Sequence, residues 1–102
     1  MTENRRIYDL SNSIVINDLN IKKVIIDAHV DKHKDHVNDD LILELVKKLS
    51  GRTYDSEDYE DGFQYFVNVI EHNQSKYRLV WLLEDHSFYV GVITAFKDKG
   101  VK

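Results

Sequence analysis

The 102-residue chain contains neither cysteine nor proline. The first absence excludes disulfides, thiolate zinc sites, iron–sulfur clusters and thiol nucleophiles. The second excludes a proline-rich linker. The four glycines stand alone, so there is no phosphate-cradling glycine loop, dinucleotide fingerprint or nucleophile elbow. No apolar run approaches the roughly 20 residues of a spanning helix, which argues against a membrane protein. The opening MTENRRIYDL has two arginines but no apolar stretch and no small-residue cleavage site. It does not read as a secretory signal, and a cytoplasmic location is the default expectation.

The chain is 42% hydrophobic and 11% aromatic, enough to bury a core rather than remain disordered. Its length suits one domain, residues 1–102, with residues 1–12 expected to be loosely attached. Net charge is −4, whereas nucleic-acid-binding domains are usually basic. The charge is unevenly spread. Asp55, Glu57, Asp58, Glu60 and Asp61 fall within DSEDYED, residues 55–61, and these five carboxylates outweigh the whole net charge. The run reads either as a solvated, mobile loop or as a docking patch for a basic partner.

Local patterning points to an α+β fold. SIVIN (13–17) and KVIIDA (23–28) are short and rich in β-branched residues, which predicts strands with a turn at 18–20. A helix is expected from about Asp39 to Ser50. Asn38 can cap it, Asp39 and Asp40 suit its first turn, and Lys47 and Lys48 its last. Gly51 then serves as a left-handed terminator. Leu41, Ile42, Leu45, Val46 and Leu49 form one apolar stripe. Phe63–Ile70, Lys76–Glu84 and Phe88–Phe96 follow as strands separated by hairpin-length breaks. Gly91 marks a bulge or a close-approach site. The expected architecture is one main amphipathic helix packed on an antiparallel sheet with a C-terminal three-stranded meander, the middle strand central. Leu45, Leu49, Leu79, Trp81, Leu83 and Ile93 are the expected core.

Several residues are candidates for chemistry. His29, His33 and His36 lie within eight positions. They fit a solvated polar segment, a zinc site, or a catalytic or phosphate-facing histidine. The spacing matches no well-known zinc pattern, so no metal or other cofactor is expected. Arg78 sits inside the most hydrophobic strand, where a charge needs a partner or a wet surface. It reads as a structural ion pair or as an anion-binding arginine. Thr94 and Lys97 close the last strand and could touch a phosphate. Tyr65, Tyr77, Trp81 and Tyr89 fall on strands, where exposed aromatics can stack bases, although core packing suits Trp81 better.

HVDKH (29–33), LILELVKKLSG (41–51), YRLVWLLED (77–85) and FYVGVITAFK (88–97) occur in an order that resembles small bacterial ribonuclease toxins. These are the RelE and BrnT-like members of the barnase/colicin/RelE group. The resemblance spans about residues 24–98 and is one of pattern. It implies a metal-independent endoribonuclease acting on single-stranded RNA. Arg78 and Lys97 would contact the scissile phosphate, His29 or His33 would supply acid–base chemistry, and Thr94 and Tyr77 would bind substrate. Cleavage by the RNA's own 2′-OH needs a base, an acid and cations beside phosphorus. Lys97 departs from the pattern, since arginine would fork onto phosphate more effectively. The alternative expectation is a non-catalytic acidic module that binds a cognate protein, as immunity proteins, antitoxins or phage-borne inhibitors do. Acidity, small size and the 55–61 run suit it.

Overall fold

A computed structural model describes residues 5–28, 30 and 37–98. The chain order is β1 (Arg6–Ile16), β2 (Leu19–Ile26), α1 (Asp39–Lys47), β3 (Asp58–Glu60), β4 (Phe63–His72), β5 (Ser75–Glu84) and β6 (Tyr89–Lys97). The six strands form one curled sheet in the order β1-β2-β6-β5-β4-β3. The expected meander is there, and its middle strand, β5, lies between β4 and β6. The sheet is mixed, however, and not antiparallel throughout. β2 pairs parallel with β6, Lys23 opposite Tyr89 and Ile26 opposite Val92. The cause is the α1-containing connection after β2. It replaces a hairpin and lets the last strand return beside the second.

Tight turns set the antiparallel registers. Asn17–Asp18, Asp61–Gly62 and Asn73–Gln74 all take positive φ. That matches the right-handed twist of the strands they join. The first of these turns lies one residue earlier than the sequence suggested. The chain from Arg6 onward is strand, so the loose segment expected over residues 1–12 is already sheet there. Arg6 forks onto the Asp39 carboxylate at 2.7 and 2.9 Å, and the Tyr8 hydroxyl also donates to it. These bonds tie β1 to the first turn of α1.

The helix is shorter than expected. It ends at Lys47, and Lys48–Ser50 form a turn. Asn38 caps it as read, its side chain accepting from the Leu41 N–H at 2.9 Å. Ile42, Leu45 and Val46 are buried, and so is Leu49 in the turn beyond. Ile42, Val46 and Leu49 pack in one cluster with Ile16, Ile21, Val24, Phe66, Leu79, Trp81, Leu83, Val90 and Val92 of the sheet's inner face. Leu45→Ala should therefore cost about 2–5 kcal/mol in urea unfolding. A loss below about 1 kcal/mol would mean that the site collapses freely.

Ile93 is the one misplaced core residue. Val80 pairs with Thr94 but Trp81 pairs with Val92, so Ile93 is the extra residue of a bulge and is only half-buried. Gly91 is instead a close-approach site. A Cβ there would lie 2.8 Å from a methyl of Leu82. The segment 51–57 straps the open side of the curl. Gly51 N donates to Val15 O (2.7 Å), Tyr54 exchanges bonds with the Asn17 side chain (2.6 and 2.9 Å), and Glu57 N donates to Tyr65 O (2.7 Å). No helix among the described residues is long and apolar enough to cross a membrane.

Candidate functional site

The end of the β5–β6 pair gathers four of the residues singled out from the sequence. Tyr77 is opposite Lys97, Arg78 opposite Phe96 and Val80 opposite Thr94. Alternation along the strands then divides them. Tyr77 and Lys97 share the inner parity of buried Leu79 and Ala95, whereas Arg78 and Thr94 share the outer parity. Arg78 and Lys97 are thus close in register but start from opposite faces. The Arg78 guanidinium lies 3.6 Å from the Asp98 carboxylate, and its side chain is 43% exposed. Thr94 is only 7% exposed, so little of it can meet a ligand. His29, His33 and His36 lie outside the described residues. Among the described residues no group of three or more histidines and carboxylates is placed to hold a metal ion.

Trp81 is a core residue and presents nothing to a base. Tyr65 and Tyr89 lie on the outer face and are half-buried. The Tyr89 hydroxyl donates to Glu84 at 2.7 Å. Burial, with that bond second, pushes the Tyr89 phenol up to about 12. Burial also raises Tyr54, and hydrogen bonds to Asp39 and Asp85 raise Tyr8 and Tyr59. A phenol raised above its unfolded value near 10 binds its proton more tightly in the folded state. Its contribution is whole below about pH 10 and is lost as pH rises toward 12. Melting temperature should therefore fall over that window. Tyr89→Phe should flatten the decline, and an unchanged slope would count against the Tyr89 assignment.

The acidic run is a built surface and not a loop throughout. Asp58–Glu60 form β3, the edge strand, paired with Phe63–Tyr65 of β4. All residues from Asp55 to Asp61 are exposed. The Tyr59 hydroxyl donates to the Asp85 carboxylate at 2.5 Å, and Gln64 Nε2 reaches the same carboxylate at 3.4 Å. Asp85 in turn lines a cleft of about 360 Å³ with Asn17, Asp18, Leu19, Thr53, Gln64 and His86. Tyr59 shares the parity of Gln64 and leads from β3 to Asp85, which lines the recess together with Asp18, whereas Asp58 and Glu60 alternate to the outer parity of Tyr65 and Phe63.

A second feature was not anticipated from the sequence. β3 pairs with only the first three residues of β4, and no other strand among the described residues pairs with the rest of that edge. Beside it lies a groove of about 290 Å³ lined by Lys48, Leu49, Arg52, Tyr54 and Asn68–Glu71. The available signal was the mismatch between a three-residue edge strand and a ten-residue neighbour, which composition does not display.

Compared with family models, characterised proteins and solved structures, the chain matches none of them. Its own geometry is what a functional reading rests on.

Proposed function

We propose that this protein is a non-catalytic binding module that docks a basic protein partner through its acidic β3 edge. The observation that carries the reading is the fully exposed acidic run Asp55–Asp61 at the β3 edge, next to a cleft lined by Asp18 and by Asp85, which the Tyr59 hydroxyl holds. A lysine or arginine side chain entering that cleft would meet the carboxylates of Asp18 and Asp85, while Asp58 and Glu60 add to the field that steers the approach. β3 fixes its carboxylates on a sheet edge, so less ordering entropy is lost on binding than from a free loop.

The test is titration with a lysine- and arginine-rich peptide, followed by amide chemical shifts and stopped-flow kinetics. Shift changes should be confined to Asp18, residues 55–61 and Asp85. Association should slow on the order of tenfold between low and high salt. Asp58→Ser with Glu60→Ser should lower the on-rate more than it raises the off-rate. Salt-independent binding, or shifts elsewhere, would overturn the reading.

The ribonuclease alternative draws on the resemblance and on the exposed Arg78 guanidinium. It makes an opposite prediction. A DNA/RNA chimera with one ribonucleotide would be cleaved in EDTA, the all-DNA version would not, and Arg78→Ala would lose more than about 10²-fold in rate. That outcome would displace the binding-module reading.

A further inference from the structure

The open edge of β4 has a defined direction. Glu57 N donates to Tyr65 O, so the Tyr65 backbone faces away from β5. Backbone groups alternate along a strand, so those of Val67, Val69 and Glu71 face the same way. β3 has ended by then, and no described residue supplies a backbone partner to Val67 or Val69. Lys48 Nζ takes the Glu71 carbonyl at 3.2 Å and closes the far end. Val67 and Val69 are 37% and 47% exposed, and strand alternation puts their side chains on the outer face. Natural sheets usually blunt such an edge with charge, proline or a covering segment. Here β3 and the 51–57 strap cover the flanks and, among the described residues, leave this stretch without a backbone partner.

The ground beside the edge is cationic. Lys48 and Arg52 both line the groove and are both exposed, and neither forms an ion pair among the described residues. The groove's own acidic residue, Glu71, stands opposite Lys76 across the β4–β5 ladder. Leu49, Tyr54 and Ile70 give the floor apolar surface. A strand added here would place alternate side chains over that floor and a carboxylate within reach of the two cations.

We propose that the β4 edge binds an extended, carboxylate-bearing peptide by β-strand addition. The backbone groups of Val67 and Val69 would pair with it, and Lys48 and Arg52 would select its charge. A second copy of this chain is a poorer occupant. Symmetric antiparallel pairing about Val69 would bring its own Lys48 and Arg52 to the same side of the joined sheet, like charge against like. This surface is separate from the acidic one, and the variants below leave Asp55–Asp61 untouched.

The probe is a ten-residue acetylated peptide of alternating valine and threonine with two glutamates. On binding, the Val67 and Val69 amides should gain at least tenfold protection from hydrogen exchange. The Asn68 and Ile70 amides face β5 and should change little. A peptide N-methylated at alternate residues, and one with lysines for the glutamates, should each bind at least tenfold more weakly. Val69→Pro should abolish binding while leaving the fold intact, because the Val69 N–H serves no ladder bond. Arg52→Glu should weaken binding without touching the edge, which keeps the test decisive if the proline variant misfolds. No protection at millimolar peptide, or equal binding of the N-methylated form, overturns the proposal. Protection that grows with protein concentration without peptide overturns it in favour of self-association.

Discussion

Replacing Trp81 by alanine is expected to cost about 3–5 kcal/mol, a large share of the roughly 5–15 kcal/mol that holds a domain together. Trp81 is fully buried at the centre of β5. Its ring stacks on Phe66 with centroids 4.1 Å apart, and Tyr54 meets it edge-on at 5.4 Å. Its indole N–H donates to Asn68 Oδ1 at 2.9 Å. Alanine removes all three contacts, opens a cavity and leaves a polar oxygen unpaired. Trp81→Phe separates the effects. It keeps the stack but strands Asn68, for about 1–3 kcal/mol. Adding Asn68→Val to Trp81→Phe should recover part of that loss, since removing both partners spares the orphan. Urea unfolding followed by far-ultraviolet circular dichroism measures all three. A loss below about 2 kcal/mol for Trp81→Ala would show that the centre of the core lies elsewhere.

Proline at Ile70 should be nearly as damaging, in contrast to proline one residue earlier. Ile70 pairs with Tyr77, and its backbone faces β5. Proline there deletes a ladder donor, leaves the Tyr77 carbonyl without its partner at about 1–3 kcal/mol, and forces the ring against the neighbouring strand. Val69 faces the open edge and carries no such bond. Paired melting curves for Ile70→Pro and Val69→Pro thus report the direction of the β4 backbone. Equal destabilisation by the two would mean that the edge is not free.

Much of the fold was legible because its signals are local. The Asn38 cap, the buried positions of α1 and the three C-terminal strands each follow from spacing over a few residues. The hairpin breaks at 72–75 and 85–87 were enough to order the meander. Other features depended on distant pairing. β1 extends back to Arg6 because β2 lies beside it and Asp39 holds Arg6 and Tyr8, neither of which is visible in the polar opening segment. Ile93 reads as core by alternation until the bulge opposite Val80 and Trp81 steps the strand out of phase. In β4 the alternation leaves open which face is buried: Phe63, Tyr65, Val67 and Val69 take the outer face, and Phe66 enters the core. Of the ribonuclease-like constellation, the sequence could place Arg78, Thr94 and Lys97 at one strand end. It could not show that alternation assigns Arg78 and Lys97 to opposite faces, or that Asp98 engages Arg78. The Lys48–Arg52 groove was invisible because it arises from what β3 fails to cover.

The parallel join between β2 and β6 also has a meaning for synthesis. The β1–β2 hairpin emerges from the ribosome with its apolar residues Ile21, Val24 and Ile26 in place, yet its partner strand is the last to be made. At about 5–20 residues per second the nascent hairpin waits several seconds for that partner. The slow, long-range pairing also sets the pace of folding, since closure of so large a loop precedes any gain from it. Premature termination before Tyr89 would therefore yield no slightly shortened version of this protein. It would release the β1–β2 hairpin and the β3–β5 strands linked only through the 51–57 strap, each with an uncovered edge where β6 should have joined them.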